Sequence, residues 1–367
     1  MTTNCKSLAS LIGTATLFAT LAGCGGPQDT ATTGNMADNS AGNTAASGGA
    51  APAGGQLTGA GATFPYPLYS KWFDTYNKNK GVRINYQSVG SGAGIQQLKN
   101  QTVNFGASDA PLNDEDLKEM PAPVVHIPTV AGAVAVIYNL QEVPKLRLDG
   151  QTLAGMFLGQ IKRWNDPKIA ALNPGASLPN RAVTVAHRSD GSGTSYIFTN
   201  YLKAVSPEWS GQVGAGKSVE WPVGIGGKGN DGVAAVVKQT PGAIGYAELA
   251  YAIENKIAYA ALRNKAGQFV EPSVASTVAA AEGASAAMQK DVRAPIVNEP
   301  GAKAYPIAGF TYILAYKKQQ DAAKGKVLTQ FLNWAMTDGQ GMAEPLLYAP
   351  LPASVAKLNQ TTIQSIQ

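Results

Sequence analysis

Three places in this chain combine glycines and small hydroxyl residues with the start of a helix-spaced run, and two of them directly follow a strand-like stretch. Val82-Arg-Ile84-Asn-Tyr86 alternates as a strand does. Gly90-Ser91-Gly-Ala-Gly94 then breaks it, and Ile95, Leu98 and Val103 follow at helical intervals. Ala182–Ala186 is a second apolar stretch, followed by Asp190-Gly-Ser192-Gly193-Thr194 and a helix-like run over Tyr196–Val205. The third place is Gly59-Ala-Gly-Ala-Thr63-Phe64, after which Pro65 precedes Leu68, Trp72, Phe73 and Tyr76 at helical spacing. Val124–Ile127, Ala133–Tyr138, Ala243–Tyr246 and Ile307–Tyr316 read as further strands, and Asn230-Asp231 as the cap of a helix through Val237. Such alternation predicts an α/β fold, with an open sheet in each of two lobes. Ligands of such sheets sit where strands end and helices begin. A helix N-terminus there offers unpaired N–H groups and partial positive charge, so these three places are candidate anion sites.

A fourth stretch, "GQVGAGKS" at residues 211–218, fits the phosphate-cradling pattern G-x-x-x-x-G-K-[ST]. A working loop of that kind needs a strand before it and a helix after it. Here Val205-Ser-Pro-Glu-Trp-Ser210 precedes it without alternation, and Trp221-Pro222-Val-Gly-Ile-Gly follows, so a nucleotide site is not expected. The stretch reads as a glycine-rich surface loop.

The N-terminus reads as an export segment. Lys6 precedes a mildly apolar run, Ser7–Ala22, that ends at Leu21-Ala22-Gly23-Cys24. This resembles the lipobox of bacterial lipoproteins, which implies a signal peptide over 1–23 and a diacylglyceryl group on Cys24. Cys5 would leave with the signal, and a lone remaining cysteine in an exported chain fits a modified thiol. Two acyl chains hold a membrane far more durably than one. Residues 25–55 are Gly, Ala, Ser, Thr and Asn with few large apolar side chains, hence a flexible tether spanning on the order of 30 Å. The charges, 29 basic against 24 acidic, are scattered without a Lys/Arg run, which argues against a nucleic-acid surface. With two histidines and no metal-ligand spacing, neither a transition-metal site nor a cofactor is expected.

The stretches "LTGAGATFPYPLYSKW", "NYQSVGSGAG", "VNFGASDAPL", "HRSDGSGTSYIFTNYL", "GGKGNDGVAAVV" and "PGAIGY" occur in order along nearly all of the folded part. Together they resemble the periplasmic phosphate-binding proteins of bacterial high-affinity phosphate ABC transporters. The resemblance implies a type II periplasmic-binding-protein fold, each lobe an open mixed sheet flanked by helices, joined by a hinge. It divides the chain into the signal peptide (1–23), the lipidated cysteine and tether (24–55), a discontinuous first lobe (56–131 and 304–367) and a second lobe (132–303). The hinge crossings are expected near 129–133 and 302–308. Carried over position by position, the phosphate contacts are Thr63, the Phe64 N–H, Ser91, Asp109, Arg188, Ser192, Gly193 and Thr194, with Asp190 bracing Arg188. Family members often carry an arginine just before the binding arginine, where this chain has His187.

The implied roles have a physical rationale. Burying an anion is costly unless its oxygens are paired, and Arg188 has the planar fork to grip two of them. Asp109 can only accept while ionised, so it takes the O–H of a protonated phosphate and repels sulfate, which carries no proton at neutral pH. The partners implied are inorganic phosphate, a membrane permease and the membrane itself through Cys24, for a monomer tethered outside the cytoplasmic membrane. Two alternatives stand beside this reading. One is a secreted phosphatase or phosphotransferase using Ser192 or Thr194, which lacks an evident activating base. The other is a receptor of the same architecture for another oxyanion or an organic phosphate. His126, in an apolar strand, reads as a satisfied core residue.

Overall fold

The computed structural model describes residues 55–367; the leader, Cys24 and the tether up to residue 54 lie outside the described residues. The strands are β1 (Gln56–Gly61), β2 (Arg83–Ser88), β3 (Phe105–Ser108), β4 (Val124–Tyr138), β5 (Arg147–Leu148), β6 (Thr184–Arg188), β7 (Ile225–Gly227), β8 (Ala243–Glu248), β9 (Ala258–Tyr259), β10 (Ala261–Arg263), β11 (Phe269–Val270) and β12 (Ala308–Tyr316). Nine of them form a mixed sheet in the order β2-β1-β3-β12-β4-β8-β6-β7, with β9 also on β4, and β11-β10-β5 form a small second sheet.

The long strand β4 organises the molecule. Its residues 124–133 pair antiparallel with β12, and residues 134–138 pair antiparallel with β8. On one side β1, β2 and β3 are mutually parallel; on the other β6 is parallel to both β7 and β8. These two parallel sets point at each other. The end of β3 at Ser108 lies opposite Tyr312, which lies opposite Pro128, whereas the end of β8 at Glu248 lies opposite Val134. Both sets of C-terminal strand ends therefore converge on the middle of β4. That is where ligands of open α/β sheets bind.

The sequence suggested two strands, 124–127 and 133–138, where the structure has one. Pro128, which has no N–H for a ladder, was the apparent interruption. It is accommodated at a slip in the ladder, where Val130 lies opposite Thr311 and Pro128 opposite Tyr312, so that Thr129 of β4 is the extra residue.

Strand alternation sorts the core into two layers. Ile313 and Ala315 of β12 face Trp72, Phe73 and Phe331, which come from the helices Tyr66–Lys80 and Ala322–Ala335. Phe310, Tyr312, Leu314 and Tyr316 face the other way, onto Ala280, Ala284 and Met288 in and around the helices Val274–Gly283 and Ser285–Lys290. The helix Tyr66–Lys80 shows how local chemistry fixes an element. Its Leu68, Tyr69, Trp72, Phe73 and Tyr76 are buried on one face, Lys78 and Lys80 sit in its last turn, and Gly81 ends it at φ 69° with its N–H on the Asn77 carbonyl.

Candidate functional site

Each candidate residue sits at or just past a strand end. Thr63 and Phe64 follow β1, Ser91 opens the helix Ser91–Lys99 after β2, and Asp109 follows β3. From the opposite set, Arg188 ends β6, and Ser192 caps the helix Gly193–Val205 by accepting the Ser195 N–H at 3.0 Å. Thr63, Ser91, Asp109, Arg188, Ser192 and Thr194 are all at least 95 % buried. The first turns of the helices from Ser91 and Gly193 leave N–H groups that those helices cannot satisfy themselves.

The two sets touch directly. Gly92 N–H donates to the Gly191 carbonyl at 2.8 Å, and Gly193 N–H donates to Ser91 Oγ at 3.1 Å. Asn230 Nδ2 donates to Thr63 Oγ1 at 2.7 Å and to Thr194 Oγ1 at 3.1 Å. A methyl group built on Gly193 would fall 2.5 Å from both Asp109 Oδ2 and Ser91 Oγ, so glycine is required where the two loops meet. All the residues named on sequence for one anion site are thus brought around one locus.

Ser91 shows how the site commits its hydroxyls. Its Oγ accepts from the N–H of Gly193 and, at 3.3 Å, from that of Asp109. With both lone pairs engaged, its O–H is left to donate.

Arg188 is held by a two-point grip on Asp190, Nε to Oδ1 at 2.7 Å and Nη2 to Oδ2 at 2.6 Å, while Nη1 reaches Thr194 Oγ1 at 3.3 Å. Burial tends to raise Asp190. The Arg188 hydrogen bonds and charge and the Gly229 N–H outweigh that and hold its carboxyl below the usual range. Five guanidinium protons minus these three contacts leave two for a ligand. Asp109 is the counterpoint. Its Oδ1 and the nearby Thr311 hydroxyl are both buried without a hydrogen bond of normal geometry, and burial pushes the carboxyl up to about 7, opposed by the proximity of that hydroxyl and by the Arg188 charge. An acceptor held dry beside a guanidinium fits a ligand that is anionic and carries a proton.

This burial has a consequence for stability. A carboxyl raised from 3.8 to about 7 binds its proton more tightly folded than unfolded, so stability of the empty protein falls as pH rises across that window. We expect thermal melts of the ligand-free protein to drop from pH 4 to pH 7, and Asp109→Asn to flatten that slope. An unchanged slope in the variant would mean Asp109 is not held this way.

His126 accepts the Leu112 N–H on Nε2 at 2.9 Å, and burial and then the Arg293 charge push it down to about 4 against Asp291; it is a neutral core residue. His187 Nδ1 lies 3.0 Å from the Arg188 carbonyl, and its ring stacks on Trp221 with centroids 4.9 Å apart. The 211–218 stretch begins in the last two residues of the short helix Pro207–Gln212 and continues as a loop, and the next helix begins only at Gly229. Its Lys217 carbonyl accepts the Ser192 N–H at 2.8 Å, and Lys217 Nζ lies 3.3 Å from Asp116. The nucleotide pattern thus serves as a brace for the neighbouring loop. A surface groove lined by Arg147, Asn173, Tyr259 and Phe269 lies at the small sheet and includes none of these residues.

Sequence reasoning missed several residues. Asn230 and Asp231 were expected to cap a helix, but the helix runs Gly229–Gln239 with Lys228 in the cap position, and Asn230 reaches Thr63 and Thr194 instead. Tyr246 accepts the Arg188 N–H at 3.1 Å and lies 2.6 Å from Ser195 Oγ; Tyr251 donates to the Thr63 carbonyl at 2.6 Å; and Tyr348 donates to the Phe64 carbonyl at 2.7 Å. Phenols aimed at backbone from a strand, a helix and a loop distant in sequence leave no local pattern.

Comparison with known proteins gives a consistent picture. Residues 44–338 match the family model described as the PBP superfamily domain. The chain is 48 % identical over 304 residues to the phosphate-binding protein PstS of Xylella fastidiosa strain 9a5c, covering 82 % of this chain and 83 % of that one. It is 48 % identical over 301 residues to PstS of Haemophilus influenzae, covering 82 % and 90 %. Among solved structures, a phosphate-binding protein from Stenotrophomonas maltophilia superposes with a TM-score of 0.65 at 20 % identity, covering 83 % and 93 %, which speaks for the fold.

Proposed function

Because this chain belongs to the PBP superfamily, and within it to the PstS phosphate-binding proteins, we propose that it captures inorganic phosphate outside the cytoplasmic membrane and delivers it to an ABC transporter permease. The observation that carries the reading is that buried Arg188 and Asp109, whose Oδ1 is without a partner, share one locus ringed by hydroxyls and helix N-termini. Phosphate accepts from Thr63, the Phe64 N–H, Ser91, Arg188, Ser192 and Thr194, and donates its own proton to Asp109, while Gly193, expected from the sequence as a direct contact, acts through the Ser91 hydroxyl that its N–H engages. Asp190 keeps the guanidinium oriented.

Capture needs the two strand sets to part and meet again. The proposed hinge lies at the middle of β4 and in the 302–308 segment leading into β12, with lobes at 56–131 plus 304–367 and 132–303. The proposed receptor acts as a monomer.

A phosphatase reading is less well supported. Ser192 Oγ is engaged as a helix cap and Thr194 Oγ1 accepts from Arg188 and Asn230, so neither hydroxyl faces a base that could activate it. Calorimetric titration with phosphate, sulfate and arsenate tests the proposal. One phosphate per chain with sulfate excluded is expected, and a lack of heat with phosphate would contradict it.

No helix among the described residues is long and apolar enough to cross a membrane. We assign membrane attachment to lipid on Cys24. In cells expressing the full chain, Cys24→Ala should move the protein from the membrane fraction to the soluble exported fraction. Unchanged fractionation would rule the anchor out.

A further inference from the structure

Asn230 is completely buried, and its amide is spoken for on every side. Oδ1 accepts the Glu248 N–H at 2.9 Å, which fixes the orientation of the side chain. The Nδ2 group therefore faces the other way, giving one proton to Thr63 Oγ1 at 2.7 Å and one to Thr194 Oγ1 at 3.1 Å, and Asn230's own N–H reaches Thr63 Oγ1 at 3.2 Å.

A hydroxyl has two lone pairs and one proton. Thr63 Oγ1 receives the two Asn230 donors, which occupy both of its lone pairs. Thr194 Oγ1 receives Asn230 Nδ2 and Arg188 Nη1, with the same result. Each threonine then has only its proton left to offer. An asparagine turned the other way, with its oxygen inward, would take those protons and turn both hydroxyls into acceptors, which repel an anion.

We propose that Asn230 is a positioning residue: it commits the Thr63 and Thr194 hydroxyls as donors to the anion, Thr194 from within its own strand set and Thr63 only when the set carrying Thr63 meets the set carrying Asn230. The inference rests on reading the locus as a phosphate site. It adds a specificity device in which the polarity of two hydroxyls is set from behind, and it ties the polarity of Thr63 to closure, because Thr63 follows β1 whereas Asn230 and Thr194 follow β7 and β6.

A double-mutant cycle tests it, with phosphate affinity read by calorimetry on the wild type, Asn230→Ala, Thr194→Val and the double variant. Asn230→Ala should weaken binding at least ~30-fold. Since part of the Asn230 effect runs through Thr194 and part through Thr63, the double variant should fall short of the multiplied losses by at least ~3-fold. A wild type that binds phosphate while Asn230→Ala stays within about threefold of it would overturn the proposal. So would losses that simply multiply, as expected of a residue that only supports the fold. A wild type that does not bind phosphate would remove the functional reading and this inference together. Should Asn230→Ala not fold, Asn230→Asp takes its place in the same cycle, because it keeps the acceptor for the Glu248 N–H.

Discussion

Arg188→Met is expected to lower phosphate affinity by at least ~1,000-fold, the largest effect of any single substitution at the site. Among the described residues, Arg188 is the one arginine or lysine that is buried. Neutral dipoles can spread the charge of an enclosed anion, but removing the guanidinium deletes the formal counter-charge and both remaining donors of its fork. It also leaves Asp190, only 14 % exposed and 2.6 Å from Arg188 Nη2, as an unpaired carboxylate beside the ligand. Two controls separate these contributions. Arg188→Lys keeps the charge but cannot grip Asp190 and two ligand oxygens together, so it should fall between wild type and Arg188→Met. Adding Asp190→Asn to Arg188→Met should recover part of the loss by removing the stranded charge. Equilibrium dialysis with labelled phosphate reads all three, and an Arg188→Met affinity within tenfold of wild type would show that the anion is not held here.

The second large effect concerns selectivity. In Asp109→Asn, phosphate should still bind within ~10-fold of wild type, whereas sulfate should gain at least ~100-fold. The reason is proton bookkeeping. An ionised Asp109 facing sulfate sets two acceptors against each other, but an asparagine amide donates to either anion. The raised Asp109 carboxyl gives a further signature. Because it titrates at about 7, acidification turns it into a neutral acid that donates an O–H. Wild-type sulfate affinity should therefore rise as pH falls from 8 to 5, and that of Asp109→Asn should be nearly flat. Competition titrations at several pH values check both. Unchanged discrimination in the variant would remove Asp109 from the specificity of the site.

The site was legible where chemistry is contiguous in the chain. Arg188 and the Asp190–Thr194 run announce themselves because one loop must supply a counter-charge, its brace, a cap and a helix N-terminus within seven residues. Asp109 stood out only through the resemblance, since an aspartate before a proline has an ordinary reading as a turn residue. Asn230 was read locally, as a helix cap, because its partners lie 167 and 36 residues away in sequence. The same distance hid Tyr348, whose hydroxyl meets Phe64 across 284 residues.

For the fold, alternating and helix-spaced runs located most strands of the main sheet and the helices that open the site. Pro128 concealed the continuity of β4, and with it the fact that the two strand sets share one strand. The Ala-rich helix Val274–Gly283 lacks a clear apolar stripe, and the helix Ala353–Gln364 starts after Pro352 without a side-chain cap, so neither left a pattern strong enough to read.

The most direct test is a crystal structure of the protein grown with phosphate. A tetrahedral anion should lie buried between the strand ends, two of its oxygens on the Arg188 fork, others within hydrogen-bond reach of Thr63, Ser91 and Thr194, and one against Asp109 Oδ1. Phosphate seated on an open surface, or a locus filled by these side chains with the anion elsewhere, would contradict the account.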